Sequence, residues 1–169
     1  VGYIGPNGSG KTTTIKILCG ILKASRGTVQ LYNGSNNLSS MNIGVVLDGL
    51  GLYKRLTVWE NLEFVTRLIG LSKKETIESI TNMLLKVELY DERNQLVKHL
   101  SKGMSRRLAI AKSMIHNPNI LILDEPFDGV DTKSHYDMIQ LLKDWVSEGE
   151  RCIFFTSQNM ADVQILWLK

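Results

Sequence analysis

The sequence predicts an α/β fold in which a mainly parallel sheet carries an inserted block of helices. Short apolar runs alternate with segments whose apolar residues recur every three or four positions, which is the pattern of strands separated by helices. A glycine-rich segment, 5–12, stands between the first strand and the first helix, and helical spacing dominates 49–115. In such a sheet, ligands bind beyond the carboxyl ends of the strands.

Three strands and one helix are predicted in the first 48 residues. Val1–Ile4 is an apolar run that stops at a Gly/Pro/Asn cluster, and helical spacing begins at Thr12. Gly27–Tyr32 alternates enough to predict a strand, closed by the turn Asn33–Gly34, and Ile43–Leu47 is predicted to be a buried strand. The apolar positions of the helix are Ile15, Leu18, Cys19 and Leu22.

Residues 49–115 are predicted to be a helical insertion. Thr57–Glu60 and Ser72–Glu75 both have the sequence of a capping box, which starts a helix by satisfying its first backbone N–H groups. Strand character returns at Ile120–Leu123 and Cys152–Thr156. The apolar faces of the three helices predicted between residues 57 and 152 are Leu62, Val65 and Ile69; Ile77, Ile80, Leu84 and Val87; and Met138, Leu142 and Trp145.

The composition is typical of one soluble globular domain, with 169 residues, 43% hydrophobic. A net charge of +3 on dispersed basic residues does not indicate nucleic-acid binding. No apolar run approaches the roughly 18–20 residues that cross a bilayer, so a membrane role requires a partner. Cys19 and Cys152 lie in apolar segments, and we expect buried, reduced thiols. Because the sequence opens without Met inside a strand, we expect an internal fragment.

The segment GPNGSGKT matches the phosphate-loop pattern G-x-x-x-x-G-K-[ST] and lies between a strand and a helix, as that loop requires. Gly8 and Gly10 permit a tight path that points backbone N–H groups at phosphates, Lys11 is expected to bridge phosphate oxygens, and Thr12 is expected to bind Mg²⁺. The alternative is a glycine-rich turn that binds nothing. The residues predicted to contact nucleotide are Gly5, Pro6, Asn7, Gly8, Ser9, Gly10, Lys11, Thr12 and Thr13.

Two adjacent carboxylates, Asp124 and Glu125, end the apolar run Ile120–Leu123. Neighbouring strand residues point to opposite sides, so the two carboxylates can do different work. Asp124 is predicted to hold Mg²⁺ and Glu125 to polarise the water that attacks a phosphate. The alternative is a solvated start of a loop.

The segment LSKGMSRRLAIAKSMIHNPNILILDEPFDGVD, 100–131, resembles the signature motif, Walker B strand and D-loop of ABC-type ATPases. The resemblance covers essentially the whole chain and implies a RecA-like P-loop NTPase fold with ATP and Mg²⁺ as cofactors. It implies a single truncated ABC ATPase domain over 1–169, with the nucleotide-binding core in 1–48 and 116–169 and a helical subdomain in 49–115. The N-terminal antiparallel strands and the adenine-stacking aromatic of the family then fall outside the sequence.

The resemblance also implies a dimer in which each subunit's signature meets ATP bound by the other. Ser101, which can also be only a helix N-cap, and Gly103 are expected to contact that nucleotide, and Asp131 to lie at the subunit boundary. The family signature usually reads LSGGQ, so Lys102 and Met104 depart from it. Lys102 adds a cation near the expected phosphate.

Two further departures affect residues with expected catalytic roles. Asp48 stands where the family has a glutamine that touches Mg²⁺ and the attacking water; aspartate can ligate the metal but is shorter and cannot donate. Gln158 stands where the family has a histidine that contacts the γ phosphate, and its neutral amide can still donate. The pair makes slow hydrolysis credible. Alternatively, Asp48 is an N-cap or turn residue and Gln158 only a strand-end residue.

The resemblance implies an ATP-hydrolysing subunit, in a homo- or heterodimer, bound to a membrane permease on the cytoplasmic face. Gly51–Phe64 resembles the segment that faces the permease in exporters of antibiotics or bacteriocins. There Tyr53, Leu56 and Trp59 form an apolar patch or belong to the core. The alternatives are a nucleotide-dependent switch with weak hydrolysis and a soluble ABC ATPase outside transport.

Overall fold

A computed structural model describes residues 1–30, 32–33, 36–37, 42–47, 49 and 51–167. Its main sheet has four strands, β1 Gly2–Ile4, β4 Ile43–Val46, β5 Ile120–Leu123 and β6 Cys152–Ser157. They lie in the order β1-β6-β5-β4, and every neighbouring pair is parallel. The predicted α/β fold with a mainly parallel sheet is therefore confirmed.

A separate antiparallel pair is formed by β2, Tyr32–Asn33, and β3, Asn36–Asn37. The predicted strand Gly27–Tyr32 is wrong over 27–30, which has no strand structure. Those residues are exposed, Val29 included, so their alternation does not reflect a buried face. Gly34, the second residue of the predicted turn, lies outside the described residues.

The helices begin close to the predicted caps. The hydroxyls of Thr57 and Ser72 accept hydrogen bonds from the backbone of Glu60 and Glu75, and both reciprocal capping boxes are complete. The helices are α1 Lys11–Leu18, α2 Val58–Leu68, α3 Lys73–Lys86, α4 Lys102–Met114, α5 Thr132–Ser147 and α6 Met160–Trp167, with a 3₁₀ turn at Val97–His99. None of the described helices is long and apolar enough to cross a bilayer.

One cluster of buried side chains joins the sheet to the helices. Val46, Leu121 and Phe155 of the strands pack in the same cluster as the helical residues, including all of the predicted face Met138, Leu142 and Trp145. The predicted faces are wrong at Ile77 and Leu22, which are exposed; α1 already ends at Leu18. The division into a nucleotide-binding core and a helical subdomain stays a prediction.

The two cysteines differ from the expectation of buried thiols. Cys152 is exposed, because it is the first residue of β6 and the burial of that strand begins at Ile153. Cys19 is half-buried at the end of α1, and desolvation raises the pKa of its thiol. The expectation is therefore wrong for Cys152.

Helix α4 lies directly against β4 at Gly44. A Cβ atom at Gly44 would stand 2.1 Å from the backbone carbonyl oxygen of Ser113 and 2.6 Å from Cδ2 of Leu121. Since real Cβ atoms do not approach a carbonyl oxygen this closely, any side chain here pushes α4 off the sheet. This contact determines how closely α4, the helix that begins in the signature motif, packs on the sheet.

We expect Gly44→Ala to lower the free energy of unfolding of the full-length protein by about 1–3 kcal/mol, because the added methyl group overpacks the contact with Ser113. The measurement is chemical denaturation followed by circular dichroism. Glu150→Ala, at an exposed turn, is the control and should change stability by less than about 0.5 kcal/mol. Equal stability of the two variants would contradict the close packing.

Candidate functional site

Three chain segments meet at the carboxyl edge of the sheet. Ile4 is paired with Ser157 in β6, and Leu123 is paired with Phe155 of the same strand. Because all these strands run in one direction, the loops that follow β1, β5 and β6 leave the sheet together. The edge therefore combines the glycine-rich loop, the two carboxylates and Gln158.

The glycine-rich loop turns through left-handed backbone conformations at Gly8 and Gly10, with φ of 80° and 88°. Gly10 is the N-cap of α1 and offers no side chain to close the helix start. The first backbone N–H groups of α1 are therefore left without a side-chain partner, and together with the positive end of the helix they favour an anion. Lys11 is buried and donates to the carbonyl oxygens of Gly5, at 2.7 Å, and Pro6, at 3.0 Å.

Asp124 is 1% exposed and is bonded on both carboxylate oxygens. The Thr12 hydroxyl donates to Oδ2 at 2.7 Å, and the Thr156 hydroxyl donates to Oδ1 at 2.7 Å. A buried carboxylate without such donors would be strongly destabilising. The structure thus brings together two of the three residues predicted to hold Mg²⁺, Thr12 and Asp124.

The oxygen donors of Thr12 and Asp124 fit Mg²⁺, which prefers hard oxygen ligands. Among the described residues, no cluster of three or more His, Cys, Asp or Glu side chains could hold a metal ion by itself. Mg²⁺ is usually bound by one or two protein ligands, with substrate phosphates and water completing the site. Asp48, the third predicted metal ligand, lies outside the described residues.

Glu125 follows Asp124 directly and contacts Lys11 of the phosphate loop. Its φ is 44°, a left-handed conformation that is unfavourable for a residue with a side chain. Its backbone N–H donates to the Thr156 hydroxyl at 3.0 Å, and its Oε1 atom lies 3.1 Å from Nζ of Lys11. Glu125 and the buried ammonium group of Lys11 therefore form an ion pair at the loop.

Gln158 is brought to the same carboxylate. Its Nε2 atom donates to Oε2 of Glu125 at 2.7 Å, so one glutamate contacts both Lys11 and Gln158. The sequence predicts Thr156 as the last residue of a strand but does not identify it as the bridge between Asp124 and Glu125. In the sequence, a hydroxyl residue at the end of one strand and two carboxylates after another give only a weak indication that Thr156 bridges the two.

Lys102 and Gly103 of the signature lie against the loop and the helix that follow Glu125. The Ser101 hydroxyl accepts from the backbone of Met104, as an N-cap, and a Cβ on Gly103 would meet Ser134 of α5 at 2.8 Å. Lys102 pairs with Asp128 at 3.3 Å. Within the described part of the chain, no hydrogen bond joins Ser101 or Gly103 to the phosphate loop.

Asp131 caps the first turn of α5. Its carboxylate accepts from the backbone of Ser134 at 3.0 Å, and hydrogen bonds to Ser134 hold the pKa of Asp131 below its usual value. The carboxylate is exposed and ionised at neutral pH. It therefore adds negative charge at the start of α5, close to Gly103.

The predicted apolar patch of Tyr53, Leu56 and Trp59 is divided between surface and core. Tyr53 is exposed and its ring meets that of Phe64, also exposed, edge to face at 5.0 Å. Leu56 and Trp59 are half-buried, and Trp59 packs against the core cluster. Lys112 lies 4.4 Å from the Tyr53 ring centre, and burial lowers the pKa of this lysine.

The comparisons with known proteins agree on one family. The family model for the ABC transporter matches residues 1–128. The bacitracin transport ATP-binding protein BcrA of Bacillus licheniformis is 35% identical over 170 residues, covering 98% of this chain and 54% of the relative. The ABC transporter ATP-binding protein NatA of Bacillus subtilis is also 35% identical, over 98% of this chain and 69% of the relative. The chain therefore spans little more than half of BcrA.

The fold also matches a solved structure, the dimeric post-hydrolysis state of the ATP-binding cassette MJ0796 bound to ADP and Pi. The TM-score is 0.85 at 26% identity, over 97% of this chain and 76% of that chain. Fold and site together define a P-loop NTPase domain. The chain belongs to the ABC transporter family, as an ATP-binding domain of the ABC ATPase type.

We expect Thr156→Val to lower the free energy of unfolding by about 2 kcal/mol, because the variant removes one hydroxyl that serves both Asp124 and Glu125 in a buried place. Thr156→Ser is the control, since it keeps the hydroxyl and loses only a methyl group. Urea denaturation of the full-length proteins measures the difference. If Thr156→Val is as stable as Thr156→Ser, the bridge does not contribute to stability.

Proposed function

We propose that this protein binds and hydrolyses ATP with Mg²⁺ and that hydrolysis drives an ABC transporter. The observation that carries the proposal is the contact of Glu125 with both Lys11 and Gln158, beside a separately bonded Asp124 and Thr12. A glycine-rich turn without a ligand would not need a buried lysine and two buried or half-buried carboxylates at one edge. The arrangement supplies phosphate binding, metal binding and water activation at one place.

The residues divide the chemistry between them. Lys11 and the N–H groups at the start of α1 bind the β and γ phosphates, and Thr12 and Asp124 hold Mg²⁺. When bound, Mg²⁺ neutralises the charge that develops on the phosphate oxygens. Glu125 accepts a hydrogen bond from the attacking water, orients it and takes its proton. The ion pair with Lys11 directs the Glu125 carboxylate at the phosphate loop.

Gln158 takes the position of the family's histidine as a neutral donor. Its amide already donates to Glu125, so it orients that carboxylate, and its second N–H is available for a phosphate oxygen. The same hydrogen bond occupies the Oε2 atom of Glu125, which then has less capacity to accept the attacking water. This observation favours a second candidate function, a nucleotide-dependent switch that hydrolyses slowly. Asp48 in place of glutamine acts in the same direction.

In the proposed function, the protein acts as a dimer. Ser101 and Gly103 at the start of α4 would contact ATP bound by a second subunit, and Asp131 would lie at the boundary. The support is the helix start at Ser101, which has the geometry of an anion site, and the dimer described for MJ0796. The second subunit is another copy of this chain or a related one.

In the proposed function, the protein binds an integral membrane permease on the cytoplasmic face of the membrane. BcrA is described as a bacitracin transport protein, and that description supports export of a small antibiotic-like compound. Tyr53 and Phe64 form an exposed aromatic pair in the segment expected to face the permease.

We expect Glu125→Gln to lower the steady-state rate of ATP hydrolysis by at least about 100-fold, a loss of nearly 3 kcal/mol of transition-state stabilisation. The reason is that an amide cannot take a proton from the attacking water. The assay uses the full-length protein with its permease in membranes and measures phosphate release. Glu150→Gln, at an exposed turn, is the matched control and should keep the wild-type rate.

Equal, background-level rates in the wild type and Glu125→Gln would overturn the hydrolytic function. Slow turnover that still depends on Glu125 would favour the switch. Failure of the protein to bind any multi-span membrane protein would contradict the transport function and favour an ABC ATPase outside transport.

A further inference from the structure

A buried carboxylate outside the proposed catalytic set lies directly behind Gln158. Asp162 of α6 is 6% exposed. The Ser157 hydroxyl donates to its Oδ2 atom at 2.5 Å, and Nε2 of His135 in α5 lies 3.0 Å from its Oδ1 atom. In the tautomer that carries its proton on Nε2, His135 donates this hydrogen bond to the carboxylate. Asp162 thus joins α5 to the end of β6.

Ser157 and Asn159, the neighbours of Gln158 in the chain, are held by the same network. The Ser157 hydroxyl accepts from the backbone N–H of Asn159 at 2.9 Å, and the Asn159 side chain accepts from the N–H of Ala161 at 3.0 Å. The backbone on both sides of Gln158 is therefore bonded, whereas the Gln158 side chain is exposed and its Nε2 atom is bonded to Glu125. Moving Ser157 would move the amide relative to Glu125.

The imidazole of His135 is fixed from its other side. The Phe127 ring meets it edge to face, with the ring centres 4.8 Å apart. His135, Asp162, Gln158 and Glu125 line one cavity of about 390 Å³. His135 lies one helical turn after Asp131, the cap of α5, and its backbone N–H bonds to the Asp131 carbonyl. The network therefore connects the start of α5 to Gln158.

We propose that His135 and Asp162 are positioning residues for Gln158: their hydrogen bonds through Ser157 set the distance between the Gln158 amide and Glu125. The inference rests on the proposed hydrolytic function, which supplies the role of Gln158. It adds a path by which a displacement at Asp131, the expected subunit boundary, reaches the reacting groups. Neither His135 nor Asp162 touches the substrate in this scheme.

The test compares two amides at position 135 in the full-length protein with its permease. The glutamine amide reaches about as far as Nε2 of histidine, so His135→Gln can donate to Asp162, whereas the shorter His135→Asn cannot. We expect His135→Gln to keep at least about half of the ATPase rate and His135→Asn to lose about tenfold in kcat with KM for ATP unchanged. In a Gln158→Ala background, His135→Asn should cause no further loss.

Hydrogen exchange supplies a readout that does not depend on turnover. The amides of Asn159 and Ala161 should exchange about tenfold faster in His135→Asn than in the wild type or His135→Gln. Unchanged exchange in His135→Asn overturns the inference, and so does an equal loss of kcat with and without Gln158. If the wild type shows no turnover that depends on Glu125, the proposed function is wrong instead. The hydrogen-exchange result then decides by itself whether His135 and Asp162 hold the backbone around Gln158.

Discussion

The buried carboxylate of Asp124 is the constraint around which the site is built. At 1% exposure it needs a donor for each oxygen, and the donors come from Thr12 and Thr156, which lie 112 and 32 residues away in the chain. Satisfying one charge therefore ties α1 and β6 to the end of β5. The same Thr156 hydroxyl receives the N–H of Glu125, which fixes the next residue as well.

A second consequence is that the two adjacent carboxylates have separate surroundings. Asp124 is bonded by hydroxyl groups and faces the start of α1, whereas Glu125, in its left-handed conformation, meets the ammonium of Lys11 and the amide of Gln158. This separation suits the two proposed roles, metal binding at Asp124 and water activation at Glu125. A phosphate at the loop would compete with Glu125 for Lys11.

Local sequence signals predicted the phosphate loop, the strand that ends in Asp124 and the capping boxes. Each depends on a short pattern in which residue type and spacing have a direct structural cause. The proximity of Gln158 to the site was implied by the resemblance to ABC ATPases. The Thr156 bridge and the contact of His135 with Asp162 join residues far apart in sequence, and no single residue type announces them. The strand expected over 27–30 and the burial of Cys152 were wrong because short alternation and apolar neighbours do not determine which face is covered.

Lys11 is proposed to bind the nucleotide and Glu125 to act on water, although the two side chains are in contact. The most direct test is the affinity of full-length Lys11→Met and Glu125→Gln for Mg-ATP, measured by titration with a fluorescent ATP analogue. Lys11→Met should bind at least about 100-fold more weakly than the wild type, because the buried cation is lost. Glu125→Gln should bind as tightly as the wild type or more tightly, since a competitor for Lys11 is removed. Equal weakening in both variants would contradict the division of roles.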